Sequence, residues 1–271
     1  MRRLVPILCT TSLAVVLGFA APAAAELLTV VPPGFENTGG GFQGPAPLRF
    51  KNISGTGGSR TQQVYESQLF GNFEGPRLIT GIDLRTFPGA APSAFFGNSV
   101  TVSNIFINLS TTAFGDEGNA LSATFANNIG GDATEVYSGG LVLTTAANGN
   151  TPVSPFDYTI TFQTPFLYDP SLGNLLIDVN IPTDATLSSA GFGFLTFDTV
   201  NNLDDGVYSV FNGDNGNAIT GNAGTSGAIL QVHSEAAATA VPEPGTLALF
   251  VAGLLSVAAT QHRQHGKRRR S

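Results

Sequence analysis

The chain has 271 residues, 42% apolar and 11% charged, with a formal net charge of −7, one cysteine and no tryptophan. Five basic residues (Arg49, Lys51, Arg60, Arg77 and Arg85) face eighteen Asp and Glu between Glu26 and Ala240, and no basic residue follows Arg85 in that span. So acidic a middle region excludes nucleic-acid binding, which needs cations to neutralise phosphates.

In chain order, residues 1–25 read as a secretory signal peptide. Arg2 and Arg3 form a basic start, an apolar stretch runs from Leu4 to Ala21, and Ala23-Ala24-Ala25 offers an A-x-A cleavage site with Ala23 and Ala25 as its small residues. The surroundings of Arg2-Arg3 do not support a twin-arginine signal, and Cys9 lies too early in the apolar run for lipidation. With Cys9 removed, the exported chain has no disulfide, so about 215 residues must be held by their core alone.

Residues 26–240 are expected to form one extracytoplasmic domain. Glu26 to Gly58 is rich in Gly and Pro and reads as irregular, with at most one short strand. From Val64 onward, strands alternate with turns. In "SVTVSNIFINLST", Val100 and Val102 share one parity while Ile105, Ile107 and Leu109 take the other, so a β-bulge is expected at Ser103-Asn104. In "PFDYTITFQTPF", Phe156, Tyr158, Ile160 and Phe162 alternate with Asp157, Thr159, Thr161 and Gln163, one face buried and one wet. "NLLIDVNI" puts Leu175, Ile177, Val179 and Ile181 inward, Asp178 and Asn180 outward. No stretch within the domain carries a capped helical stripe. The fold class is therefore all-β: a single antiparallel β-sandwich of Ig-like or jelly-roll type.

Chemistry is sparse in this region. Its one histidine, His233, follows "ILQV" and reads as a solvent-facing strand residue rather than a catalytic base. Paired carboxylates for glycoside hydrolysis are not marked by any spacing. No metal centre is expected. The groups nearest to calcium chemistry are Asp204 and Asp205 in "NLDDGVY" and Asp214 in "NGDNGN", which are also ordinary turn residues. A carbohydrate-binding module would need two or more of Tyr65, Tyr137, Tyr158, Tyr168 and Tyr208 on one concave face.

Residues 241–271 differ in character. Pro242-Glu243-Pro244 precedes an apolar run from Thr246 to Ala259, and Arg263, Lys267, Arg268, Arg269 and Arg270 follow. The run is short for a membrane span, but counting from Val241 to Thr260 nearly supplies the ~20 residues needed. The basic cluster would stay cytoplasmic. This ordered set resembles the PEP-CTERM sorting signal of Gram-negative bacteria. The resemblance implies processing near Pro242–Pro244 by an exosortase, a transient inner-membrane anchor, and final delivery to the cell surface or matrix. It also implies association with exopolysaccharide or other matrix proteins in biofilm. The expected role is thus a non-enzymatic structural or adhesive one without a cofactor. A secreted carbohydrate-binding module is the alternative, and a secreted hydrolase stands behind that.

Overall fold

The computed structural model describes residues 25–44, 47–48, 58–88, 99–115, 120–147, 152–188 and 197–237, with Gly253. The strands are β1 (Glu26–Val31), β2 (Phe42–Gly44), β3 (Ser59–Tyr65), β4 (Arg77–Arg85), β5 (Ser99–Thr112), β6 (Thr134–Thr144), β7 (Phe156–Tyr168), β8 (Asn174–Ile181), β9 (Leu187–Ser188), β10 (Phe197–Val200), β11 (Val207–Asn212), β12 (Asn222–Gly224), β13 (Gly227–Ala228) and β14 (Leu230–Ala236). A single-turn α-helix, α1 (Phe125–Asn128), lies between β5 and β6, and 3-10 turns occupy Ser67–Phe70 and Pro170–Leu172. The Gly/Pro-rich start is more ordered than its composition suggests, holding both β1 and β2.

All strand pairs are antiparallel. A four-stranded sheet has the order β1-β14-β4-β7, a larger one runs β12-β11-β3-β8-β5-β6 with β9 paired to β5, and a small one is β13-β10-β2. The two larger sheets share one apolar core. Ile79, Ile82, Tyr158, Ile160 and Val232 come from the first sheet, and Tyr65, Ile105, Ile107, Ile177 and Val179 from the second. At one side the edges of the two sheets are bridged by the Gln163 amide. Its Oε1 accepts from Ser138 N at 3.1 Å and its Nε2 donates to Ser138 O at 2.9 Å, so a side chain completes the pairing between β7 and β6.

The bulge in β5 is present: the β5–β6 register shifts between Val102 and Ile105. It lets Val100, Val102, Ile105, Ile107 and Leu109 all enter the core despite their change of parity. The alternation in β7 also holds, with Tyr158, Ile160 and Phe162 buried and Thr159, Thr161 and Gln163 exposed.

In β8 the outward side is not wet. Asp178 is only 4% exposed. A second apolar cluster of Val64, Leu121, Phe125, Leu176, Val210 and Ala218 covers that face. Polar residues beneath it satisfy one another. Arg60 Nη2 donates to Asp178 Oδ2 at 2.7 Å, and Gln62 Nε2 donates to Asp178 Oδ2 at 3.1 Å and to Phe125 O at 3.0 Å. Asn128 Nδ2 donates to Gln62 Oε1 at 2.9 Å, which ties α1 to the sheet. Pairing of this kind offsets the cost of taking polar groups out of water.

The segment after β1 is fixed by a fully buried ion pair. Arg85 Nε donates to Asp198 Oδ2 at 2.8 Å, Nη1 to Phe35 O at 2.8 Å and Nη2 to Thr38 O at 2.6 Å. Asp198 Oδ1 accepts from Gly40 N at 2.9 Å. Burial drives the Arg85 pKa down and that of Asp198 up, each opposed by its partner's charge. Glycine is required at position 40, where a Cβ would lie 2.3 Å from Thr199 O.

Candidate functional site

Strand β14 alternates along "LQVHSEA": Leu230, Val232 and Ser234 are buried, whereas Gln231 and His233 are half-covered. It lies between β1 and β4, so the last strand of the domain is central in its sheet. The register pairs Glu26 with Glu235 and Val31 with Leu230. Arg77, the first residue of β4, pairs with Ala236 and with Tyr168. The beginning of β1 and the end of β14 therefore meet at one pole. Five residues separate Ala236 from Pro242.

His233 stands near the same pole with two carboxylates. Its Nδ1 is 2.7 Å from Glu26 Oε1 and its Nε2 is 2.6 Å from Asp83 Oδ2. In the ladder His233 is opposite Leu28 on β1 and Gly81 on β4. Glu26 and Asp83 lie two residues along from those positions, and the two-residue period of a strand puts them on the same face as His233. Glu26 is 54% exposed at its side chain and Asp83 only 6%. Asp83 Oδ1 is buried without a hydrogen-bond partner. Burial lowers the His233 pKa, but the hydrogen bonds and charges of Asp83 and Glu26 outweigh it and raise the pKa above its ordinary value.

His233 lies in a strand with a partly exposed face, as expected, and is in addition the centre of a three-residue cluster. The neighbouring hydroxyl on β14 is engaged elsewhere. The Ser234 hydroxyl accepts from Arg77 Nε at 2.8 Å and donates to Leu27 O at 3.3 Å. The partners of His233 are 207 and 150 residues away in sequence. Polar residues set inside apolar strands, as in "LQVHSE" and "GIDL", were the one available signal.

Asp204 and Asp205 sit in the loop entering β11, and Asp214 in the turn after it. Asp205 works as a loop cap, with Oδ2 accepting from Asn202 N at 2.7 Å and Oδ1 from Val207 N at 2.9 Å. Its pKa is raised, chiefly by burial. Among the described residues no group of three or more His, Cys, Asp or Glu is arranged to hold a metal ion. Asp204 lines a cavity of about 620 Å³ together with Leu121, Leu203, Tyr208 and Thr225.

Tyr65, Tyr158 and Tyr168 belong to the main core. Tyr137 packs against that core, whereas Tyr208 packs against the second cluster. The two half-covered tyrosines thus lie on opposite faces of the larger sheet and form no shared stacking platform.

Ala25 is exposed and immediately precedes β1. Ala23, Pro242, Glu243, Pro244, Arg263, Lys267, Arg268, Arg269 and Arg270 lie outside the described residues. Among the described residues no helix is long and apolar enough to cross a membrane.

Residues 240–264 match the family model of the PEP-CTERM protein-sorting motif. The chain therefore carries the signal of an exported protein targeted to an exosortase for sorting to the cell surface. Comparison with curated proteins and with solved structures gives no match.

Proposed function

We propose that this is a non-enzymatic structural or adhesive component of the cell surface or extracellular matrix. The chain is exported by the signal peptide and cleaved after Ala25. It is held briefly in the inner membrane with Arg263 and Lys267 to Arg270 in the cytoplasm, and is released or transferred by an exosortase near Pro242–Pro244. The observation that carries this reading is the sorting motif at 240–264, which begins a few residues after the central strand β14. The domain ahead of it supports a role in a hydrated matrix. Among the described residues Arg60 and Arg85 are paired with Asp178 and Asp198, which leaves Arg77 as the one remaining guanidinium against a large excess of acids. Such a charge balance favours solubility and contact with cations or polysaccharide. Deleting Pro242 to Pro244 should leave a longer, membrane-retained form in the native host. An unchanged mass and location on gel and fractionation would refute the sorting role.

A further inference from the structure

Two carboxylate oxygens lie within 2.7 Å of opposite nitrogens of one imidazole. A neutral imidazole has one N–H and one lone pair. It can donate to Glu26 or to Asp83, but the second contact would then set a lone pair against a carboxylate. Both contacts are favourable only when His233 carries two protons. We propose that Glu26, His233 and Asp83 form a proton-operated clasp pinning strand β1 to the strand that leads into the sorting tail, closed when His233 is a cation and open when it is neutral.

The surroundings make His233 the group that switches. β1 contributes Glu26 and the apolar Leu28, and β4 contributes Asp83 and Gly81. β7 contributes only the uncharged Thr159 and Thr161 at the facing register positions. On its own strand the nearest charge is Glu235, which is exposed, and Gln231 is neutral. Glu36 borders the groove alongside Gln231 and Leu28. The Arg77 guanidinium is bonded to Ser234. The charged side chains drawn up to the imidazole are therefore acidic, and with residues 1–25 still attached, as in the full chain tested below, the Glu26 nitrogen is an uncharged amide rather than an α-ammonium.

The sign of the pH dependence follows. The folded pKa of His233 lies above its unfolded value of about 6.5. The clasp's stabilisation is fully present below that unfolded value and is lost as pH rises through the folded one. Glu26 is the partner that yields, because it is half-exposed whereas Asp83 is fixed in the sheet. Rising pH thus frees the first residues of β1 at the pole from which the tail departs. The link to the tail rests on the sorting reading above, whereas the clasp itself does not.

The test uses the full chain purified in mild detergent. Hydrogen exchange of peptides covering residues 26–31 is followed from mildly acidic to alkaline pH, corrected for intrinsic rates and compared with β8. The three histidine ring protons are titrated in parallel by NMR, with His233 assigned from the loss of its signal in His233→Gln. His233 should titrate above about 6.5, the ordinary histidine value. Protection of β1 relative to β8 should fall several-fold across that titration. Glu26→Gln should lower the midpoint and flatten the pH response, and His233→Gln should leave β1 at the loosened level at every pH. Protection of β1 that ignores the His233 titration, or a midpoint unmoved by Glu26→Gln, would overturn the proposal. Should His233→Gln not fold, the exposed Glu26→Gln variant decides alone, its histidine assigned as the one signal whose midpoint moves. A failure of exosortase processing would not alter these readings.

Discussion

Replacing Asp198 by alanine strands the Arg85 guanidinium in the protein interior. Both side chains are 0% exposed, and among the described residues Asp198 supplies the guanidinium's one ion pair, with the Glu36 charge a smaller influence. Phe35 O and Thr38 O would still accept from Nη1 and Nη2, but they carry no compensating charge. Removing one member of a buried ion pair costs about 3–5 kcal/mol. Gly40 N also loses its acceptor, Asp198 Oδ1, which adds about 1–3 kcal/mol if that amide stays buried. The expected loss is about 4–8 kcal/mol, roughly 8–32 °C in Tm for a domain of this size. Urea denaturation should show the midpoint falling with little change in slope. The companion double variant Arg85→Met with Asp198→Leu removes both charges and should recover the part of the loss due to the stranded charge, although Phe35 O, Thr38 O and Gly40 N lose their partners in it. A single variant that loses less than about 1 kcal/mol, or a double variant as unstable as the single, would refute a mechanism based on an uncompensated buried charge.

Deleting Asn104 should remove the extra residue of the β5 bulge and turn Val100 and Val102 away from the core. At about 1.5–3 kcal/mol for each buried valine, the loss is a large share of the total stability of a typical domain. Thermal denaturation checks it, and a near-native Tm would show that the register adjusts elsewhere. EDTA should leave the Tm unchanged, because both oxygens of Asp205 already accept from backbone amides. A fall of several degrees would instead establish a bound cation.

Where local alternation reflects burial, the sequence was readable. Tyr158, Ile160 and Phe162 announced β7, and the parity change at Ser103-Asn104 announced a bulge that the register confirms. The same reasoning misjudged Asp178, because alternation reports which side a residue faces and not what lies over that side. Its cover comes from Leu121, Phe125 and Ala218, which lie outside the strands. Arg85 was equally opaque, since arginine is seldom fully buried and its partners Phe35, Thr38 and Asp198 are 47 to 113 residues away. The His233 cluster joins three strands whose order no local pattern encodes. The sorting signal was legible for the opposite reason, as all its parts are consecutive in the chain.

The central position of β14 has a mechanical consequence. It is paired at six positions with β1 and at seven with β4. In antiparallel pairing the interstrand hydrogen bonds run perpendicular to the strands. For a chain held by whatever follows Ala236, tension enters β14 along its axis and crosses both rows of bonds sideways, so they share the strain in parallel. A terminal strand at the sheet edge could be peeled one bond at a time. Here the edge position falls to β1, at the end of the chain that need not be held.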